Sequence, residues 1–359
     1  MTLSDVRNRL LRNTKFRSFA GRVWPFRLIA RHQARRLFDL SAGFVYSQVL
    51  MCCVELGWFE RLADGPRSLA DLAADGRLPL AAAARLARAA HALDLTEARA
   101  GDAIALGPLG AALVGDAGIA AMAAHHRVLY TDLSDPLALL RGQKRAGLAD
   151  YWGYTGKDRP SALTEADATP YSELMGASQP MIAEQVLAAF PFQRFQHVLD
   201  VGGGNGAFLD ALHLRFPSLR RTLFDLPAVV ASRRAPAGDL ELVPGSFTED
   251  ALPEGADLVT LVRIVHDHND DVVLQLLRAI RKIIPSHGRL VIAEPMAGTP
   301  GARAVGDAYF GFYLLAMGAG RARTQPEIDE LLRAAGFGQS QRHATAIPLI
   351  CSVLSACPI

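Results

Sequence analysis

Residues 198–206, Val-Leu-Asp-Val-Gly-Gly-Gly-Asn-Gly, constrain the fold of this 359-residue chain more than any other stretch. An apolar run enters Asp200, glycines follow at 202, 204 and 206, and Ala207-Phe-Leu-Asp-Ala-Leu-His-Leu214 has helical spacing. The pattern predicts a strand turning sharply into a helix. Its glycines let the backbone take positive φ and let a ligand approach the main chain. The next strand, Arg221-Thr-Leu-Phe-Asp225, ends in a carboxylate about 20 residues on, a position that suits a ribose diol. Glycines alone would also suit a structural tight turn; Asp200 and Asp225 together favour an adenosine-type cofactor. Dinucleotide folds use G-x-G-x-x-G, with a pyrophosphate at the helix N-terminus. Here the order is D-x-G-x-G-x-G. A carboxylate ahead of the glycines would repel a pyrophosphate and attract a cation such as the amino group of a methionine moiety. The expected cofactor is S-adenosylmethionine (SAM).

Strands expected at 197–201, 221–224, 240–243, 257–263 and 289–294 alternate with helices. That alternation predicts an α/β fold with a doubly wound, mostly parallel sheet. The last two strands, about 339–344 and 348–355, are joined through Ala346-Ile347-Pro348, too short a link for a crossover. An antiparallel final strand is expected, as in SAM-dependent methyltransferases rather than dehydrogenases. Upstream, a long apolar helix is expected at 38–62, followed by a Ser68-capped helix, a helix from Leu80 to Leu93 opened by Pro79, and a hairpin turned at Ala100-Gly101-Asp102. This order reads as a winged helix. Its candidate recognition helix is mostly alanine, with Arg85, Arg88 and His91 alone to reach a nucleic acid. The module therefore reads as a homodimerisation domain with no nucleic-acid partner. The expected divisions are a basic arm at 1–36, a dimerisation and substrate-lid domain at 37–165 with a lid or connector at 151–156, and a cofactor domain at 166–359, entered by a helix from Tyr171 to Phe190.

Half the residues are hydrophobic, 21% are charged and the net charge is +2, as in an ordinary globular protein. No secretory signal and no stretch apolar enough to span a bilayer are expected. Cys52, Cys53, Cys351 and Cys357 have no metal-ligand spacing and read as buried thiols in a reducing cytosol, with no metal site. The N-terminus departs from this even balance. Residues 1–36 carry ten Arg or Lys against the single acid Asp5, interleaved with Leu10, Phe16, Phe19, Trp24 and Phe26. Two destinations fit such an arm: an anionic membrane surface, contacted peripherally, or a partner subunit.

Chemistry in an open α/β sheet sits at the carboxyl ends of the strands. The fourth strand ends in His266-Asp267 and the fifth in Glu294, at the same edge as the glycine turn. A histidine held by a carboxylate is suited to general base catalysis. Tyr309, Phe310, Tyr313 and Met317 recur at helical spacing, and Met175 and Gln179 lie on the helix before the glycine turn. Such a stripe leaves room for a hydrophobic small-molecule acceptor.

The strings Leu199-Asp-Val-Gly-Gly-Gly-Asn-Gly, Phe224-Asp-Leu-Pro, His266-Asp, Gly288-Arg-Leu-Val-Ile-Ala-Glu and Arg323-Thr resemble class I O-methyltransferases of the caffeic acid, acetylserotonin and hydroxyneurosporene type. The resemblance implies His266 as general base with Asp267 beside it and Glu294 orienting it. It places Gly202 and Gly204 at the methionine end, Asp225 and Leu226 at the ribose, Ser246 and Phe247 around the adenine and Arg263 near them. Ser246 stands where many relatives have Asp. Ala322 stands where phenol-methylating members have a second catalytic Glu, which would leave His266 supported from one side. Phe38-Asp-Leu-Ser-Ala-Gly-Phe-Val-Tyr-Ser-Gln, Leu174-Met-Gly-Ala-Ser-Gln and Gly306-Asp-Ala-Tyr-Phe-Gly-Phe-Tyr resemble bacterial carotenoid 1-hydroxy O-methyltransferases, which methylate the tertiary hydroxyl of hydroxyneurosporene or demethylspheroidene. The implied step is direct methyl transfer from sulfonium to oxygen, with proton removal accompanying it. Two rivals remain: methylation of a bacteriochlorophyll-pathway macrocycle carbon, and a non-catalytic SAM-binding or winged-helix regulator.

Overall fold

The computed structural model describes residues 2–152, 163–233 and 238–359, and contacts divide it into units Met1–Gly115 and Asp116–Ile359. In the first unit, Thr2 and Asp5 cap α1 (Leu3–Arg12) reciprocally and Asn13 caps α2 (Thr14–Ala20). The expected 38–62 helix is two helices. One, α3, spans Phe26–Glu55; Gly57 then takes φ +62° and turns the chain into α4 (Trp58–Ala63). By length and composition α3 is apolar enough to cross a membrane, contrary to the expectation that no stretch would be. Polar residues such as Asp39, Ser41 and Gln48 interrupt its apolar run and hide that signal. Leu37, Phe38, Leu40 and Phe44 along it are exposed within this chain.

The winged-helix module follows. β1 (Arg67–Ser68) leads into α5 (Leu69–Asp75), where the Ser68 hydroxyl accepts the Asp71 N–H at 3.0 Å. α6 (Leu80–Ala92) buries Ala83, Ala87 and Ala90 along one face. The hairpin β2 (Thr96–Arg99) and β3 (Ala103–Leu106) completes an antiparallel sheet of order β1-β3-β2, and α7 (Pro108–Val114) closes the unit. Of the four cysteines, Cys53 and Cys351 are buried, Cys52 is half-buried and Cys357 is exposed, so the expectation of uniform burial fails at the C-terminus.

The second unit opens with α8 (Ala117–Asp132), α9 (Pro136–Leu140), α10 (Gly147–Tyr151) and α11 (Glu165–Ala189). Most of this stretch, expected within the 37–165 domain, falls in the second unit. In the structure α8 lies along α11, so close that a Cβ on Gly118 would sit 2.6 Å from the Ser178 Cα. The Asp132 carboxylate ties α8 to α10 by accepting the Gly147 and Leu148 N–H groups, both at 2.8 Å. Of the expected lid, Gly153–Gly156 lie outside the described residues.

The sheet is built from β4 (His197–Val201), β5 (Arg220–Asp225), β6 (Glu241–Pro244), β7 (Leu258–Val262), β8 (Arg289–Glu294), β9 (Gln341–His343) and β10 (Ser352–Ala356). Its order is β6-β5-β4-β7-β8-β10-β9, parallel through β8, with β10 antiparallel to both β8 and β9. The doubly wound sheet and its antiparallel last strand are as expected. β4, β7 and β10 are buried at every position, as befits strands covered on both faces. One covering layer includes α14 (Asp270–Ile283) and α16 (Gln325–Ala334); the other includes α11 and α12 (Ala207–Arg215). The short α13 (Pro227–Ala231) follows β5. Before α15 (Phe310–Met317) the chain makes a π-helical turn, Ala304–Tyr309, where the sequence spacing indicated plain helix from Tyr309. Such turns recur at functional sites.

Candidate active site

A cavity of about 450 Å³ opens at the carboxyl ends of β4, β5 and β7. Its floor is the glycine turn, with Gly202, Gly204 and Gly206 at φ +71°, +64° and +83°. A Cβ on Gly204 would meet nothing within 4 Å, whereas one on Gly202 would run into the Ile264 side chain. The turn therefore offers bare backbone to a ligand. Asp225 lines the cavity and holds the turn: its Oδ2 accepts the Gly204 N–H at 2.7 Å and its Oδ1 the Leu226 N–H at 2.6 Å. Burial pushes its carboxyl up to about 7.

Asp200 does not line the cavity. It lies fully buried beneath Gly203, with Oδ1 accepting the Thr260 hydroxyl at 2.6 Å. Its Oδ2 has no partner among the described residues. Burial again pushes the carboxyl up to about 7, and the charge of Asp225 adds to the effect. The expectation that Asp200 meets a cationic amino group directly is thus not what the geometry presents. The strand pleat sends this side chain under the turn.

Ser246 and Phe247 line the opposite wall. The Ser246 hydroxyl pairs with the Thr248 hydroxyl at 2.8 Å, and its N–H donates to Asp250 Oδ2 at 2.8 Å. Phe247 stacks edge-on against His268. Arg263 holds φ +62°, a strained state for a long side chain that recurs at functional sites. Its guanidinium reaches α11, donating to the Ser178 hydroxyl at 2.8 Å and the Met175 sulfur at 2.7 Å. Met175 and Gln179 line the cavity from α11.

His266 is buried in a short 3₁₀ turn, Val265–Asp267, just after β7. Glu294 Oε2 lies 3.4 Å from its Nδ1 and accepts its backbone N–H at 3.1 Å; Asp267 Oδ1 lies 3.2 Å from Nε2. The ring is therefore bracketed on both nitrogens. The one-sided support anticipated from Ala322 does not occur, because Asp267 turns back onto the ring. Burial would push this histidine down, but Asp267 and Glu294 outweigh it and hold it above its ordinary value, against a smaller opposing effect of Arg263. Asp267 is part of the cavity wall; His266 lies just behind it.

Beyond His266 stands an aromatic wall. Phe310 meets the imidazole edge-on at 5.6 Å between centroids, and Tyr309 and Tyr313 pack against Phe310. Tyr309 Oη lies 2.7 Å from His126 Nε2; Tyr313 Oη lies 2.9 Å from His125 Nε2 and accepts the Trp152 indole N–H at 3.0 Å. Burial pushes both histidines down, His125 to about 4 with help from His126, so both are neutral near pH 7. None of Tyr309, Phe310, Tyr313 and Met317 reaches the cavity wall, and Tyr313 and Met317 are core residues. Sequence reasoning missed His125, His126, Tyr171 and Asn205. The two histidines sit in a helix whose neighbours carry no motif, so only three-dimensional proximity reveals them.

A glycine cradle with a strand-end acid, sharing an edge with a histidine between carboxylates, belongs to SAM-dependent methyltransferases as a class. Residues 130–338 match the O-methyltransferase domain family. The chain is 42% identical over 331 residues to a demethylspheroidene O-methyltransferase of Rhodobacter capsulatus, covering 91% of this chain and 83% of that one. It is 38% identical to the demethylspheroidene O-methyltransferase of Cereibacter sphaeroides, covering 99% and 95%. The structure of human N-acetylserotonin methyltransferase in complex with SAM superposes with a TM-score of 0.77 at 26% identity, covering 91% of this chain and 97% of that one. This chain belongs to the O-methyltransferase family, and SAM is its methyl donor.

Proposed function

We propose that the chain methylates the tertiary 1-hydroxyl of an acyclic carotenoid of the hydroxyneurosporene or demethylspheroidene type, in spheroidene synthesis. The likeness to two demethylspheroidene O-methyltransferases over nearly the whole chain carries this reading. Trp152, Tyr171 and Met175 on the cavity wall support it, because they offer apolar surface to a polyene. In the test, purified protein is incubated with labelled SAM and either demethylspheroidene or bacteriochlorophyllide. Label and a one-methyl mass increase on the carotenoid alone are expected. Methylation of the macrocycle alone would overturn the acceptor assignment.

Bound SAM supplies an electrophilic methyl group on a sulfonium. In this reading Gly202 and Gly204 give it bare backbone, Asp225 and Leu226 hold the ribose, and Ser246 and Phe247 flank the adenine. Arg263, expected near the adenine, braces α11, from which Met175 and Gln179 face the acceptor. His266 accepts the hydroxyl proton at Nε2 once Asp267 swings aside, while Nδ1–H donates to Glu294 and fixes the tautomer. A tertiary alcohol is far too weak an acid to be ionised beforehand by a histidine of ordinary pKa about 6.5, so proton removal accompanies transfer. Phe310, Tyr309, Tyr313 and Met317 pack behind the cavity wall, and their packing excludes water.

For the first unit we assign the apolar stretch of α3 around Leu37–Phe44 to a second copy of the chain, as a homodimer. The basic arm at 1–36 is assigned to peripheral contact with an anionic membrane from the cytoplasmic side. Exposed Leu3, Phe19, Trp24 and Ile29 stand among its ten cationic residues, the pairing of apolar and basic groups that a lipid surface takes up. Sedimentation with phosphatidylglycerol vesicles but not phosphatidylcholine vesicles is expected. Equal recovery with both would overturn the assignment, and an arm deletion that leaves only monomers would give the arm to the partner subunit.

A further inference from the structure

The stretch Ala319–Arg323 runs beside the loop that carries His266 and grips both ends of it. Arg323 is fully buried, and all three of its guanidinium nitrogens are engaged. Nη1 donates to the Val265 carbonyl at 2.6 Å and Nη2 to the His268 carbonyl at 2.7 Å, and these two carbonyls flank His266-Asp267. Nε and Nη2 also donate to Asp270 Oδ1, at 2.8 and 2.6 Å. The Arg323 carbonyl accepts the Ala297 N–H at 3.0 Å, on the chain leaving Glu294 and β8. One residue therefore bridges the histidine's loop and the glutamate's strand. Gly320, at φ +77°, completes the contact: a Cβ there would strike the His266 carbonyl and the Asp267 backbone. A three-residue 3₁₀ turn has few bonds of its own, so external clamps decide where its side chains point. The planar fork of arginine fits such a clamp, because several bonds form with little loss of freedom.

We propose that Arg323 is the positioning residue for methyl transfer, fixing the backbone of residues 265–268 against the chain that leaves β8 so that His266 keeps its Nδ1 on Glu294. The inference rests on His266 being the general base. Arg323 lies outside the cavity wall and acts through the loop. An arginine that merely capped α14 through Asp270 would alter stability and leave the histidine as it was.

The test uses the full chain. The groups facing His266 are Asp267 and His268 from its own loop, Arg263 from the end of β7 and Glu294 from β8, with the Phe310 ring from α15. Arg323→Lys keeps a cation for Asp270 but loses the fork that reaches both carbonyls. Turnover is expected to fall roughly 100-fold, the scale of a small misplacement. SAM affinity by calorimetry should stay within about threefold, since the glycine turn is untouched. In NMR titration the His266 ring should move toward the ordinary histidine value as its carboxylates drift away. Arg321→Gln is the control. That side chain bonds Asp270 and Glu327 but no carbonyl of the loop, so its turnover should stay within about twofold. An Arg323→Lys protein with lowered Tm but unchanged turnover and unmoved His266 titration would overturn the proposal. If Arg323→Lys does not fold, Asp270→Asn loosens the fork from its far side, and the same two readouts decide. The titration needs neither donor nor acceptor, so its failure is separate from a failure of the carotenoid assignment.

Discussion

The two ends of the seven-stranded sheet are built by opposite rules. At the amino-terminal end the Asp257 carboxylate, just before β7, accepts the Gln196 N–H at 3.0 Å and the His197 N–H at 2.8 Å. His197 in turn lies 3.1 Å from the Gly255 carbonyl and 2.7 Å from the Thr222 hydroxyl, which donates to Glu241 at 2.9 Å. At the carboxyl end two carboxylates are fully buried, and one oxygen of each, Asp200 Oδ2 and Glu294 Oε1, has no partner among the described residues. A buried acceptor left unmade costs about 1–3 kcal/mol. Within one sheet, then, the Asp257 carboxylate that joins strands at one end is bonded through both oxygens, while the two buried carboxylates at the other end each leave an oxygen unpaired among the described residues. Such local conflict marks working sites more sharply than burial alone.

The largest expected effect lies at the working end. His266→Ala should lower turnover by at least 10²–10⁴-fold, about the whole contribution of a positioned base. SAM affinity should stay within about twofold, because the ring lies behind the cavity wall. Turnover in quenched-flow assays and affinity by calorimetry check this. An active variant would remove the distinction between the two ends.

Glu294→Gln comes next, with a loss of about 10–100-fold expected from a loosened base. Because Asp267 and Glu294 hold His266 above its ordinary value, the neutral, base-competent ring forms only as pH rises through that elevated pKa. The pH profile of kcat/KM should therefore ascend with a midpoint above 6.5, the ordinary histidine value. Removing the Glu294 charge should move that midpoint down. A midpoint that stays put would show that Glu294 does not act on the ring.

Much of this division was legible in the sequence. The strand–glycine turn–helix pattern located the cradle, and the short link after Ala346 gave the antiparallel β10, because both depend on local backbone chemistry. His266 and Glu294 lie together, as expected of residues that neighbouring strand ends bring to one edge. Side-chain direction was not legible. The pattern placed Asp200 in the cofactor's path, while the pleat turns it beneath Gly203. The helical stripe at 309–317 held residues of two kinds, since Phe310 faces His266 while Met317 is core. The attachment of residues 116–152 to the catalytic unit depends on α8 meeting α11, a contact between distant segments that carries no local signal.

The amino-terminal end should respond in stability alone. Asp257→Asn removes a charged acceptor from two backbone amides and should destabilise the fold by about 1–3 kcal/mol in urea melts. Turnover per folded molecule should be unchanged. A tenfold loss of turnover, about 1.4 kcal/mol in barrier, would mean that the two ends communicate.

The smallest effect, and the most diagnostic, belongs to Asp200→Asn. Burial raises the Asp200 carboxyl from its ordinary 3.8 to about 7 in the fold. Its protonated form is favoured by folding, so the associated stability is fully present below about pH 4 and is lost as pH rises through about 7. An amide is neutral throughout. The variant should therefore melt above the wild type at pH 8, and the gap should close as pH falls toward 4. A gap independent of pH would show that Asp200 is ionised in the fold with a partner. SAM affinity separates the remaining readings of this residue. With Asp200 beneath the turn, Kd should change by less than about threefold; a loss of tenfold or more, about 1.4 kcal/mol, would put the carboxylate in direct contact with the methionine amino group. The working end would then owe its unmade bond to the cofactor rather than to the strand pleat.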